Sequence, residues 1–226
     1  MATNRRILLS EIPTGKLTEE HFTQDEIELT SPGEGEVLVR TLILSQDAAN
    51  RAWMQGATYR SALSSGQVMS SGGIGEVVES NNERFSVGQI VSGDLGWQEY
   101  AVLLGHQLAL LKDHDGPLSH SLSLLGVAGL TAYHGLINVP DIHAGEVLLV
   151  SAAGGSVGSI VGQIGRIKGA KVIGIAGGTE KCRWVVDELG FDACLDYKDT
   201  SAPLRHQLAA VAPDGVDVYF DNTGGD

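Results

Sequence analysis

Cysteine is almost absent: Cys182 and Cys194 are the only two in 226 residues, and they do not form a C-x-x-C pair. Two cysteines cannot build a disulfide framework or a four-cysteine structural zinc site. Their scarcity points to a reducing compartment, here the cytoplasm. Cations are also few, with 15 Lys and Arg against 28 Asp and Glu, for a formal net charge of −13. That balance disfavours nucleic acid and anionic membrane surfaces as partners. Membrane-spanning apolar runs are missing too. The uncharged stretch 147–165 contains five glycines, three serines and a glutamine, and turn residues punctuate it. The N-terminus has two arginines but only three consecutive apolar residues, too few for a secretory signal. Metal ligands are thin as well. The seven histidines are scattered at 21, 106, 114, 120, 134, 143 and 206, so the sequence predicts no metal site.

What is present has two grammars. Hydrophobic residues make up 42% of the chain, enough to bury a core. Residues 1–125 read as mostly β, with strands at 36–44, 73–79, 98–104 and a short one within 87–94, separated by Gly, Pro and Asn turns. Residues 126–226 alternate. A helix at 130–137 precedes strands at 147–152, 171–176, 193–197 and 216–221, with helices at 157–168, 180–189 and 202–212 between them. Such alternation predicts an α/β fold with a parallel, doubly wound sheet. A complete dinucleotide-binding fold has six strands in the order 3-2-1-4-5-6. Four are counted before Asp226, so the second domain reads as incomplete, stopping after its fourth strand.

The most informative segment is Val147-Leu-Leu-Val-Ser-Ala-Ala-Gly-Gly-Ser-Val-Gly158. It has the form Ala153-x-Gly155-x-x-Gly158, between an apolar strand and an apolar-periodic helix. A lone glycine motif is weak evidence; the strand–turn–helix context makes it a dinucleotide fingerprint. Gly155 lets backbone approach a pyrophosphate, Gly158 lets helix pack on strand, and the helix N-terminus around Ser156 and Val157 offers N–H groups to phosphate. Two other readings compete. The turn could simply pack helix on sheet. It also matches the G-x-S-x-G nucleophile elbow at Ser156, which requires an acid and then a histidine further along. Asp221 could be the acid, but no histidine follows it. NAD-binding versions place an acid at the tip of the second strand. Here that tip is Gly177-Gly178, followed by Thr179-Glu180-Lys181. A missing carboxylate and an added cation favour NADP, with Lys181 meeting the 2′-phosphate.

These motifs, together with Leu44-Ser-Gln-Asp-Ala-Ala-Asn-Arg51, Gly66-Gln-Val-Met-Ser-Ser-Gly-Gly-Ile-Gly75, Gly129-Leu-Thr-Ala-Tyr-His-Gly135, Leu189-Gly-Phe-Asp192 and Asp221-Asn-Thr-Gly-Gly225, resemble one family. The chain is similar throughout to the zinc-independent medium-chain dehydrogenase/reductases. Within them it looks most like the NADPH-dependent 2-alkenal and prostaglandin/leukotriene reductases and their bacterial curcumin-reductase-like relatives. The resemblance implies a GroES-like β domain (1–125) and a Rossmann-type domain (126–226), with an active site in the cleft between. It implies hydride transfer from NADPH to the C=C bond of an α,β-unsaturated aldehyde or ketone, with a quinone oxidoreductase or a non-catalytic nucleotide-binding fragment as the alternatives. In the family, positions matching Lys181 and Tyr197 hold the 2′-phosphate, Asn222 contacts the cofactor, and Thr131 lies near the nicotinamide. Tyr59 would line the substrate mouth, or be a surface loop residue. The expected partners are an enone or enal and, at full length, a second copy of the chain. Tyr133, His134 and Met69 are expected to pack in the core rather than act. Departures are Gln67 for a common Glu, Gly165 for a common Ala, and Ala49 where plant members have a tyrosine. The family's enolate-stabilising tyrosine falls beyond residue 226, so no catalytic residue is assigned.

Overall fold

The computed structural model describes residues 2–58, 61–112 and 115–224. The chain divides into two compact units, Met1–Leu122 and Ser123–Asp226.

The first unit is antiparallel. Its five-stranded sheet contains β3 (Glu36–Leu44), β4 (Gly72–Ser80), β5 (Ile90–Asp94), β6 (Tyr100–Leu104) and β7 (Ala109–Leu110), in the order β6-β3-β4-β5-β7. Val37, Val39, Val77, Phe85, Val91 and Leu95 form its core. Three strands were not expected from the sequence: the two-residue β7, and β1 (Thr3–Leu9), which pairs with β2 (Phe22–Glu28), Thr3 opposite Glu28 and Leu9 opposite Phe22. β1 reads as polar because it carries two arginines. Their charge is matched across strands, Arg6 with Asp25 at 2.9 Å between Nε and Oδ1, and Arg5 with Glu99. Helix α1 (Ala48–Gln55) starts at a reciprocal cap. The Asp47 carboxylate accepts the Ala49 N–H at 2.7 Å, and Asn50 Oδ1 accepts the Asp47 N–H at 2.8 Å. Beneath it Trp53, Met54, Leu63, Met69 and Leu9 make a second cluster, with Met69 fully buried as a packing residue.

The second unit is a parallel sheet. Its strands are β8 (Val147–Val150), β9 (Lys171–Ala176), β10 (Ala193–Asp196) and β11 (Val218–Phe220), in the order β10-β9-β8-β11. This is the 3-2-1-4 half of a doubly wound sheet. The connecting helices are α3 (Ser156–Ile167), α4 (Thr179–Asp187) and α5 (Leu204–Val211), preceded by α2 (Val127–Tyr133), which runs into a π-helical turn at His134–Asn138. Tyr133 is a correction to the sequence reading: it is 52% exposed, and His134 beside it is exposed as well. The buried side of α2 is instead Ala128, Gly129, Ala132 and, in the following turn, Leu136.

Helix α3 lies very close to the sheet because three of the four buried residues on its facing side are glycine, Val161 being the fourth. A Cβ on Gly158 would sit 2.4 Å from the carbonyl oxygen of Ala152, and one on Gly162 would sit 1.8 Å from Cζ of Phe191. At Gly165 the space is taken by Leu148. Three helix-interior glycines cost roughly 3 kcal/mol relative to alanine. Full burial of Phe191 and Leu148 returns about 1.5–3 kcal/mol each, so close packing wins.

Strand β8 stops at Val150, two residues earlier than its apolar pattern suggests. Ala152 turns the chain off the ladder with φ +46°. Ser151 is held from the side by the segment after β11. Its hydroxyl donates to Asp221 at 2.7 Å and accepts the Asn222 N–H at 2.7 Å, and its carbonyl accepts the Asn222 side-chain amide at 2.9 Å. Asp221 also takes the Thr223 N–H at 3.0 Å, the Gly224 N–H at 3.0 Å and the Tyr219 hydroxyl at 3.2 Å. These donors, led by the Thr223 N–H and then Ser151, lower its pKa to about 2.

Two outcomes follow. Gly162→Ala should be destabilised by about 1–2 kcal/mol in urea melts, because overpacking against Phe191 exceeds the roughly 1 kcal/mol gain in helix propensity; a more stable variant would contradict the close packing. Asp221 has a folded pKa below its unfolded one, so its contribution is present above about pH 4 and disappears as pH falls toward 2. Asp221→Asn should therefore melt below the wild type at pH 6, with the gap in Tm closing toward pH 2. A gap that stays constant with pH would remove the carboxylate from the clamp.

Candidate functional site

The carboxyl ends of all four parallel strands open into one cavity of about 600 Å³. β8 contributes Ser151 and Ala152 just past its end, β9 Ile175 to Gly177, β10 Tyr197, and β11 Tyr219 and Asp221. The chain lays β9 and β10 on one side of β8 and then returns to place β11 on the other. The cavity therefore sits at the switch point where doubly wound sheets receive ligands. A second cavity, of about 360 Å³, lies in the first unit. Its arginines, Arg5 and Arg6, are already neutralised by Glu99 and Asp25, so it offers no spare positive charge to an anion.

Gly155, Lys181 and Tyr197 line the large cavity together. Gly155 caps α3 in an extended conformation (φ −93°, ψ 175°), leaving the first turn of the helix to follow. Ser156 is exposed on that turn, Val157 packs against the core, and Gly158 is buried under the Ala152 carbonyl. Lys181 stands on the first turn of α4, and its stem covers Gly154: a Cβ there would come within 2.9 Å of the lysine Cγ and Cδ. Glu180, its neighbour, does not line the cavity. The Tyr197 ring lies over Gly177, whose missing Cβ would be 2.6 Å from the phenol, and the ring remains 60% exposed. A free ammonium, an exposed phenol and bare glycine backbone at the tip of β9 are the groups that can meet a phosphate.

Asn222 lies beside this cavity, with its amide holding the Ser151 carbonyl. Thr131 is on the exposed side of α2 and is not among the residues lining the cavity. Tyr59 lies outside the described residues. The competing nucleophile reading of Ser156 weakens further, because the Asp221 carboxylate is engaged by Ser151.

One carboxylate near the tip of β9 escaped the sequence reading. Asp196, from the end of β10, accepts the Gly178 N–H at 2.7 Å and the Lys198 N–H at 2.9 Å. It therefore fixes the turn that leads into Lys181 and the backbone on the far side of Tyr197. The only signal in the sequence was an aspartate immediately before the tyrosine. Among the described residues no group of three His, Cys, Asp or Glu is arranged to hold a metal ion, and no helix is long and apolar enough to cross a membrane.

The chain was compared with known proteins. The family described as the N-terminal domain of oxidoreductase matches residues 5–111, and the family described as zinc-binding dehydrogenase matches residues 156–226. The NADPH-dependent curcumin reductase of Escherichia coli (strain K12) is 44% identical over 223 residues, which is 98% of this chain and 64% of the relative. The 2-alkenal reductase (NADP(+)-dependent) of Nicotiana tabacum is 36% identical over 232 residues, 99% of this chain and 66% of the relative. Among solved structures, CurA in complex with NADPH from Vibrio vulnificus matches with a TM-score of 0.90 and 40% identity, covering 98% of this chain and 66% of that one. The chain thus spans 64–66% of the length of these relatives. With both halves matched and its sheets arranged as described, the chain belongs to the zinc-independent medium-chain dehydrogenase/reductases.

Proposed function

We propose that this protein binds NADPH in the cavity of its second unit and reduces the C=C bond of an α,β-unsaturated aldehyde or ketone. The observation that carries the reading is the grouping of Lys181 and Tyr197 with the Gly154-Gly155 turn in one cavity whose β9 tip is glycine rather than acid. The likeness to NADPH-dependent reductases supports it.

In this reading Gly155, Ser156, Val157 and Gly158 present the N-terminus of α3 to the pyrophosphate. Lys181 and Tyr197 take the 2′-phosphate. Asp196 keeps that subsite in shape by holding the backbone of Gly178 and Lys198. Asn222 contacts the cofactor, Thr131 belongs to the nicotinamide side, and Tyr59 to the substrate mouth. When bound, NADPH supplies the hydride. The protein's task is to hold donor and acceptor carbons about 3–3.5 Å apart. Negative charge then develops on the substrate oxygen as an enolate, and hydrogen-bond donors suffice to stabilise it. Alcohol oxidation by a zinc-bound alkoxide would need a cluster of metal ligands, and among the described residues no three His, Cys, Asp or Glu are grouped as one.

Titration of NADPH and NADH onto the protein tests the cofactor half, and turnover of an enal against a quinone, in a chain of the relatives' full length, tests the substrate half. Faster turnover of the quinone would move the assignment to quinone reduction. Lys181→Ala should weaken NADPH by about 1.5–3 kcal/mol while leaving NADH nearly unchanged, because only the former loses a charge-assisted contact. Equal losses for both cofactors would show that Lys181 does not read the 2′-phosphate. Elemental analysis of purified protein should find no stoichiometric zinc, and chelators should leave cofactor binding as it was. One tightly held zinc per chain would defeat the metal-free mechanism.

A further inference from the structure

The two cysteines, twelve positions apart in sequence, meet in space. Cys182 lies in α4, directly after Lys181, and Cys194 is the second residue of β10. Their sulfurs are 2.8 Å apart, and both are free thiols. Cys182 is 9% exposed, whereas Cys194 is half-buried, the more accessible of the two. A disulfide needs sulfurs about 2.05 Å apart. Less than an ångström of approach separates this contact from a bond, a movement that a small shift of α4 toward β10 supplies.

We propose that Cys182 and Cys194 form a covalent modification site at which a low-molecular-weight disulfide drives formation of an intramolecular disulfide, tying α4 to β10 and weakening NADPH binding. The coupling to NADPH rests on the cofactor reading above; the covalent site does not. The chemistry is two exchanges. The Cys194 thiolate attacks one sulfur of the reagent, forming a mixed disulfide and releasing one reagent thiolate. The Cys182 thiolate then attacks Cys194 Sγ, closing the protein disulfide and releasing the second. The two protein protons end on the two released thiols, and two electrons pass from the protein to the reagent. Burial, and then the neighbouring Cys182 sulfur, push the Cys194 thiol well above its usual range. The thiolate is therefore scarce at neutral pH, and the exchange is slow unless the disulfide is in excess.

The position gives the bond its effect. Cys182 is next to Lys181, and Cys194 is three residues before Tyr197, so the bridge would join the two elements that carry the proposed 2′-phosphate subsite. The Lys181 stem is now seated over Gly154. Drawing the first turn of α4 toward β10 pulls the lysine off that seat.

The test is to incubate the 226-residue protein with excess oxidised glutathione, quench in acid, alkylate under denaturing conditions and weigh the intact chain. The expected product is lighter by two hydrogens, carries no glutathione and no alkyl group, and returns to two alkylatable thiols after dithiothreitol. Persistent glutathione adducts on the wild type, or two thiols still alkylatable after long exposure, would overturn the site. In NADPH titrations the oxidised protein should bind about fivefold more weakly or worse, with recovery on reduction and no redox dependence in Cys194→Ala. A disulfide that forms without moving NADPH affinity overturns the coupling. A disulfide that forms in a protein binding NADPH in neither state overturns the cofactor reading and the coupling with it, while leaving the covalent site standing.

Discussion

The second unit depends on how near a helix can come to a sheet. Side chains normally hold α3 and β8 apart. Gly158, Gly162 and Gly165 remove them on the facing side, and the Ala152 carbonyl, Phe191 and Leu148 occupy the freed space. This approach sets where α3 begins, and with it the direction in which its unpaired N–H groups point. The turn at Ala152, the burial of Phe191 and the floor of the cavity all follow from that one distance. A larger side chain at any of the three positions would move the helix N-terminus, and the cradle would move with it.

The β8–α3–β9 run was legible in the sequence because the hydrophobic period switches from two to 3.6 across a glycine turn, and the 3-2-1-4 strand order followed from it. The N-terminal pair β1 and β2 was not legible. Paired arginines and acids look like surface in a one-dimensional reading, and twelve intervening residues hide the pairing. Tyr133 and His134 were assigned inward because packing was weighed only against catalysis, and an exposed face was not considered. On α2 the outward side is itself apolar, with Val127 79% and Leu130 57% exposed. Asp196 was missed for a different reason: its two backbone contacts join separate turns, and no spacing rule encodes them. The early end of β8 was invisible too, since a left-handed alanine leaves no compositional trace.

Charge acts on two scales. The chain as a whole carries −13 and so opposes any anion at long range. In the proposed reading the N-terminus of α3 and the ammonium of Lys181 act at contact distance, where screening over about 8 Å at physiological salt leaves the distant carboxylates little say. Selectivity for a phosphorylated ligand, as proposed, would thus be local and would not require a basic surface.

The bonding around Asp221 has a further meaning. Its two oxygens take hydroxyls from Ser151, Thr223 and Tyr219 and N–H groups from Thr223 and Gly224. With a pKa of about 2 it is protonated in only about one molecule in 10⁵ at pH 7. It therefore has no proton to give at neutral pH, and it is too weak a base to take one. The most conspicuous carboxylate in the cavity is thus excluded from general acid–base work, and any proton that completes a reduction there has to arrive from another donor or from water.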